Sequence, residues 1–297
     1  MEHKKYKDIE RLKESFYDGF RVGDIISITE KIDGANSSYQ YDKETDELIS
    51  FSRRRTLDFN NTLQGFYEYV SKLDKDKYKK YSNLRFFGEW LVKHTIVYKD
   101  DAYKNFYCFD IYDTEKGEYL LQTDVKQLCG ELNITYVPEF YYGEFQSWEH
   151  VKSFVGKSEY AIDSGEGVVI KNDSRINSDD RIPYFTKIVA EDFAEKKKVK
   201  VQDLSKLEQR SKYQALVESI VTEPRVRKQL NILIEDDLIP SDWDEHNMKT
   251  IAQSIPRMIY NDCIKEEKET VDMIENFGKF SGKISMDIVR KILTTIK

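Results

Sequence analysis

The sequence changes its rhythm once. Up to about residue 193 it runs in short aromatic and β-branched segments: "DIISIT", "SSYQYD", "ELISFS", "RFFGEW", "FYCFDIYD" and "GEGVVIK". Turn residues separate them, and "KETDE" reads as a hairpin loop. Apolar residues recur at three- and four-residue steps over 61–73, 121–132 and 147–155, which predicts helices there. Short strands mixed with a few helices predict an α+β domain built on antiparallel sheets. The charged stretch "FAEKKKVKVQDLSKLEQRSKYQ" then leads into segments with helical spacing: "KYQALVESIV", "EPRVRKQLNILIE", "HNMKTIAQSIPRMIYNDCIKEEKETVDMI" and "SMDIVRKILTTI". Thr222 is the expected N-cap of the second, with Pro224 in its first turn. The expected division is therefore 1–200, an α+β domain, and 201–297, a small all-helical domain.

Composition excludes several classes. Hydrophobic residues make up 39% and aromatics 13%, enough for a sizeable core and too many for disorder. No apolar run approaches a membrane span, and the start, "MEHKKYKDIERLKESF", has no apolar core of a secretory signal. Cys108, Cys129 and Cys263 are scattered, odd in number and without CxxC spacing, so buried free thiols in a reducing cytosol are expected. The net charge of −7 argues against a non-specific nucleic-acid coat, but a local basic surface is compatible with it.

The chemistry is suggested by "ITEKIDGANSSY", where an apolar strand ends on Lys31 inside a Gly-Ala-Asn turn. Such a lysine is either a solvated charge or a nucleophile. A lysine attacking an α-phosphate would form a lysyl-nucleotide phosphoramidate. That site needs cations near the phosphate, a carboxylate for a metal ion, a partner for the ribose hydroxyls and an aromatic face for the base.

Candidates for all of these follow in chain order. "EKIDGAN", "SRRRT", "FFGEW", "FYCFDIYD", "EGVVIK" and "YFTKIVAEDFAE" resemble the ordered motifs of covalent nucleotidyltransferases, the ligases and capping enzymes. Within them the chain is most similar to the nick-sealing RNA ligase 2 family, over residue 30 to about 195. The resemblance implies a nucleotidyltransferase (adenylation) domain in which Lys31 takes AMP from ATP. Glu30 and Ile32 would meet the adenine edge through backbone groups. Asn36 matches the RNA ligases, where DNA ligases and capping enzymes carry arginine. Arg55, with Arg53 and Arg54 as rivals, would contact ribose or RNA phosphate; read as a basic edge strand, the run puts Arg53 and Arg55 on one face and Arg54 on the other. Glu89 would accept from the ribose hydroxyls and Phe109 would stack on adenine. Glu166 would hold Mg²⁺ or Mn²⁺, while Lys171 and Lys187 would face the phosphates. Lys171 stands at odd separation from Glu166, so a bulge near Gly167 is needed to bring both to one strand face. Lys93 and His94 follow the Glu89 motif, and His94 reads equally as a structural histidine.

Two positions depart from the pattern. Val189 stands where relatives carry a second lysine after Lys187, and Asp33 stands where many RNA ligase 2 relatives carry histidine. The implied activity is ATP-dependent sealing of 5′-phosphate and 3′-hydroxyl RNA ends, with nicked duplex as the favoured substrate and RNA repair as the setting. The helical region would bind RNA. A monomeric cytoplasmic protein, of cellular, viral or phage origin and without membrane association, is expected. A DNA ligase or a capping guanylyltransferase is the alternative, and a non-enzymatic nucleotide- or RNA-binding module is a third reading.

Overall fold

Strand "DIISIT" buries both of its faces, and that decides the architecture around it. In a computed structural model describing residues 1–176, 183–190 and 209–296, it becomes β1 (Ile25–Glu30). Ile26 and Ile28 point one way into a cluster with Val168, Ile170, Phe145 and Val151. Ser27 and Thr29 point the other way and are buried too. Each fully buried isoleucine contributes about 1.5–3 kcal/mol, so the apolar face fixes the register.

The remaining strands are β2 (Ala35–Asp42), β3 (Glu47–Ser52), β4 (Leu84–Trp90), β5 (Phe106–Asp113), β6 (Glu118–Tyr119), β7 (Thr135–Tyr136), β8 (Glu139–Glu144), β9 (Gly167–Ile176) and β10 (Pro183–Val189). One antiparallel sheet has the order β10-β9-β1-β8. The other runs β3-β2-β4-β5-β6, with β7 parallel to β5. Helices α1 (Phe66–Ser71) and α2 (Gln122–Leu132) cover the outer face of the second sheet, burying Phe66, Val70, Val125, Cys129 and Leu132 against Tyr39, Phe86, Trp90 and Phe106. Helix α3 (Trp148–Lys152) lies on the first sheet's apolar cluster through Val151.

The two inner faces are unusually polar. Ser27, Thr29, Ser38, Gln40, Arg85, Asp110 and Lys171 are all buried. Where these faces meet, Lys171 Nζ donates to Asp110 Oδ1 across 3.0 Å and to Leu120 O across 2.7 Å. The N-terminal residues close the same region. Tyr6 Oη donates to Asp110 Oδ2 at 3.1 Å, and its ring joins Phe87, Tyr119 and Phe185. Arg85 Nη2 donates to Glu2 O at 2.7 Å, and Lys4 sits 3.9 Å over the Tyr112 ring. Arg11 forms a parallel bridge to Lys187 at the β10 edge.

The described residues divide into two compact units, the first ending at Ala190. Position 200 and Phe193 lie outside the described residues. The second unit contains α4 (Gln209–Ile220), α5 (Glu223–Glu235), α6 (Met248–Glu266), α7 (Lys268–Asp272) and α8 (Phe277–Ile296). Ile251, Ile255, Ile259 and Cys263 recur every fourth residue on α6 and fill its core. Arg225, fully buried, is held by Asp262 at 2.7 Å and Glu267 at 3.5 Å. Among the described residues the chain is α+β with antiparallel sheets and a helical C-terminal region, and Cys108, Cys129 and Cys263 are free and buried.

Three local expectations change. Thr222 occupies the N-cap position of α5, but its hydroxyl makes no capping bond and is buried without a partner. The long helical run from residue 246 breaks at Glu267, whose φ of −133° leaves the helix. Helix α8 starts at Phe277, well before Ser285, despite two glycines. A Cβ on Gly282 would lie 3.6 Å from Pro256, and one on Gly278 3.5 Å from Tyr260. The close helix contact offsets a propensity cost of about 1 kcal/mol per glycine.

Candidate active site

The turn after β1 is pinned on both sides of its lysine. The Lys31 amide donates to Gly167 O at 3.0 Å, and the Gly34 amide donates to Glu89 Oε1 at 3.2 Å. A Cβ on Gly34 would stand 2.7 Å from Trp90 O, so the chain needs glycine there. Register pairs Ala35 with Trp90 and Asn36 with Glu89, so the two polar side chains are direct cross-strand neighbours.

From the end of β9, the neighbour of β1 in its sheet, Glu166 reaches Lys31. Lys31 Nζ donates to Glu166 Oε2 at 2.6 Å, with the side chains 25% and 18% exposed. Glu166 sits just before β9, and its carbonyl accepts from the Ala190 amide at 2.8 Å. A Cβ on Gly167 would lie 2.1 Å from Ile188 O, so this glycine permits β10 to pass and Glu166 to turn inward. Val189 pairs with Gly167, and Lys187 with Val169.

Burial alone would push the Lys31 ammonium down. Glu166 first, then Glu89 and Asp33, outweigh it and hold the lysine above its ordinary value. Burial also raises Glu166, against the pull of Lys31 and, more weakly, Lys187. The carboxylate field of Glu166, Glu89 and Asp33 thus favours the ammonium form of Lys31.

The acids flanking Lys31 each organise a loop. Glu30 is 2% exposed. Its carboxylate accepts from the Ser158 hydroxyl and, at 3.0 Å, from the Glu159 amide. Asp33 Oδ2 accepts from the Thr95 and Ile96 amides at 2.8 and 3.0 Å, and His94 Nδ1 lies 3.4 Å from its Oδ1. The Asp33 amide donates to Tyr98 Oη at 2.8 Å. These loops clasp one another, Lys99 N–H donating to Tyr160 O at 2.9 Å and Ile162 N–H to Val97 O at 3.0 Å. Burial pushes Asp33 up, but His94, Lys31 and the Ile96 amide outweigh it and leave it below the usual carboxylate range.

The structure thus brings together Lys31, Glu166, Glu89 and Asn36, with Lys187 near enough to act on Glu166. Ile32 is buried beside them in the turn. Phe109 lies on the inner face but packs edge-on against Tyr6, ring centroids 4.9 Å apart. Three expectations need correction. Lys171 is not free to turn to a phosphate: it is 3% exposed and its ammonium is held by Asp110 and Leu120 O. No bulge occurs near Gly167, since β9 pairs in unbroken register with β1 from Val168 to Asn172. The β9–β10 shift falls between Pro183 and Phe185 instead. The arginines are not on a strand either, because β3 ends at Ser52 and the Ser52 amide closes a tight turn on Arg55 O at 2.9 Å. Arg53 ion-pairs with Asp8, and Arg55 is half-buried in that turn.

Glu166, the carboxylate expected to hold a metal ion, has its Oε2 on Lys31 Nζ. Among the described residues no group of three or more His, Cys, Asp or Glu converges on one point. That donor set fits Mg²⁺, which keeps several waters and takes one or two carboxylates plus substrate phosphate oxygens. Sequence reasoning missed Asp110 and Tyr6. The apolar Tyr6 and Ile9 inside a charged start were the only signal for the latter.

The sequence model of the RNA ligase family matches residues 24–189. Among solved structures, a mutant Naegleria gruberi RNA ligase with ATP and Mn is 19% identical, with TM-score 0.46 over 64% of this chain and 57% of that one. The same ligase with pyrophosphate gives 20% identity and TM-score 0.44 over 64% and 57%. The chain spans a little over half the length of these ligases. No curated protein matches the chain significantly.

Proposed function

The chain belongs to the RNA ligase family, and we propose that it joins a 5′-phosphate to a 3′-hydroxyl on RNA with ATP as AMP donor. The observation that carries this reading is the contact of Lys31 Nζ with Glu166 Oε2 at 2.6 Å, across from the Asn36–Glu89 pair. Lys31, freed of its proton, attacks the α-phosphorus of ATP. A P–N bond forms, the P–O bond to the β-phosphate breaks, and pyrophosphate leaves. An RNA 5′-phosphate oxygen then attacks the AMP phosphorus and releases Lys31. Finally the 3′-hydroxyl attacks the activated 5′-phosphate, and AMP departs.

In each step charge grows on phosphate oxygens, so fixed cations near them serve all three. Lys187 is assigned to the α-phosphate, Glu89 to the ribose hydroxyls, Phe109 to the adenine face, and Glu30 and Ile32 to the adenine edge through their backbone. Asn36 reads substrate or a metal-bound water, and Arg55 reads ribose or RNA phosphate. A magnesium or manganese ion held by Glu166 would neutralise the growing charge. Lys171 supports the site from below and does not touch the nucleotide. Nicked duplex is the favoured substrate and RNA repair the favoured setting.

The test is incubation with α-labelled ATP and magnesium, followed by denaturing electrophoresis. Labelled protein is expected from the wild type and none from Lys31→Ala. Equal labelling of both would remove the proposal. A panel of nicked, bridged and unpaired 5′-phosphorylated RNAs tests substrate form, and equal sealing of all three would overturn nick preference.

A further inference from the structure

Two carboxylates, Glu30 and Asp33, flank Lys31, and backbone amides from distant loops fill both. Glu30 accepts from the Ser158 hydroxyl and the Glu159 amide. Asp33 accepts from the Thr95 and Ile96 amides, while its own amide donates to Tyr98 Oη. A carboxylate drawn out of water is costly unless its acceptors are filled, so each acid fixes the loop that fills it.

The two loops hold each other. The Ser158 hydroxyl donates to Glu30 Oε1 and accepts from the Tyr160 amide at 3.2 Å and the Ala161 amide at 2.8 Å, so its full capacity is used. Ala161 forms an antiparallel bridge with Tyr98, and Lys99 Nζ donates to Glu159 O at 2.9 Å. The loop over 157–164 is closed at its base, where the Gly165 amide donates to Gly156 O at 2.9 Å. A Cβ on Gly165 would stand 2.5 Å from Lys157 O. Tyr98, buried at 1% exposure, carries the path back to Asp33. A closed path thus runs through Glu30, Ser158, Ala161, Tyr98 and Asp33, and Lys31 lies in the short span that completes it.

Lys31 carries its ammonium on a flexible stem and gives it to one carboxylate, Glu166. The placement of that nitrogen therefore rests on the backbone beneath it. A reacting group misplaced by about 1 Å can lose about 10²-fold in rate. Links in one closed path fail together: breaking the first frees the turn, and breaking a second adds little. We propose that Ser158 is a positioning residue for Lys31, closing a hydrogen-bonded circuit through Glu30, Tyr98 and Asp33 that holds the nucleophile's turn from both sides. The inference rests on the reading of Lys31 as AMP acceptor above. Glu166 is anchored separately, by its carbonyl on the Ala190 amide and by the pairing of β9 with β1, so the circuit acts on the lysine.

The experiment follows two reactions of the full chain. The first is protein labelling at saturating α-labelled ATP, which needs Lys31 as nucleophile. The second is sealing of a nicked RNA duplex whose 5′-end already carries AMP, which does not. Ser158→Ala should slow labelling about tenfold and Tyr98→Phe about fivefold, each leaving the sealing rate within about twofold of wild type. Ser158→Ala/Tyr98→Phe should label no more than about twofold slower than Ser158→Ala, where independent anchors would give a loss of about fiftyfold. Ser158→Thr, which keeps the hydroxyl, should recover most of the labelling rate. Thermal melting of each variant verifies folding. Labelling of Ser158→Ala at the wild-type rate would overturn the inference and leave the ligase reading standing. An equal loss in both reactions would overturn it too, making Ser158 a residue of the fold alone. So would the full multiplied loss in the double variant. A wild type that takes no label would overturn both readings, whatever it seals.

Discussion

Two lysine–carboxylate pairs, one at the ends of the neighbouring strands β1 and β9 and one joining β9 to β5 of the other sheet, do opposite things. Lys31–Glu166 spans 2.6 Å with both side chains partly in water. Lys171–Asp110 spans 3.0 Å with side chains 4% and 1% exposed. Lys171 has a second acceptor in Leu120 O, and the Phe185 and Tyr119 rings lie 5.3 and 5.8 Å from its ammonium. Asp110 also accepts from Tyr6 Oη and the Ile111 amide. A buried ion pair persists only when its remaining hydrogen-bonding capacity is met, and this one is met on every side. Lys31 donates to a single carboxylate at the open end. On the proposed function it exchanges that partner for an incoming phosphate, whereas Lys171 cannot leave without stranding a charge.

The largest contrast should therefore appear on removing each lysine. Lys31→Ala should lower protein labelling by at least about 10³-fold, as removal of a nucleophile does. Its stability to urea should move by no more than about 1 kcal/mol, because Glu166 still reaches water. Lys171→Ala should do the reverse, losing about 3–5 kcal/mol of stability by leaving Asp110 unpaired. Lys171→Met/Asp110→Leu should recover most of that loss, read as the urea midpoint. If Lys171→Ala kept full stability while labelling vanished, Lys171 would belong to the nucleotide site and the contrast would collapse.

This contrast also marks what could be read from residues alone. The strands from Glu47 to Ser52 and from Phe106 to Asp113 are visible as written, since local side-chain type and turn residues set them. The turn at Lys31 was equally legible because its lysine, glycine and asparagine stand within six residues of one another, although the acids beside them act on distant loops. Lys171 was not, because its partner Asp110 lies 61 residues earlier and only sheet-to-sheet packing joins them. The same holds for Glu30, whose backbone drew attention while its carboxylate does the visible work on the loop at Ser158 and Glu159. Tyr6 looked like one aromatic in a charged leader. Its burial depends on a cleft that no local pattern announces.

Glu30 gives a smaller, pH-dependent test of the open end. Burial raises its carboxyl above the ordinary range, against the Glu159 amide and Ser158 hydroxyl. The folded state thus binds a proton more tightly than the unfolded chain. Stability should fall as pH rises from the ordinary glutamate value, about 4.3, to the raised folded value. Glu30→Gln should abolish this slope and, by disturbing one acceptor, cost about 1 kcal/mol at neutral pH. Urea midpoints across the acid range check both. A slope retained in Glu30→Gln would assign it to another group.

The smallest effect concerns Val189, where the comparison of the two pairs makes a directional claim. Val189 pairs with Gly167, the residue after Glu166, and shares a strand face with Lys187 two residues before it. Lys171 is committed to Asp110, so it does not supply the cation that relatives place here. Val189 is half-buried, which leaves room for a lysine stem to lie along the strand with its ammonium toward the Lys31 end. A partly exposed charge-assisted contact is worth about 0.5–1 kcal/mol, so Val189→Lys should lower the KM for ATP in the labelling reaction about two- to fivefold. The maximal rate should change little, because Lys187 is already assigned to the charge that grows on the α-phosphate and a second, partly exposed lysine would add mainly to nucleotide binding. An unchanged KM with a normally folded variant would mean that the Lys31–Glu166 end already holds its full complement of phosphate contacts without this position. The open pair would then be nearer to saturation than its exposure implies.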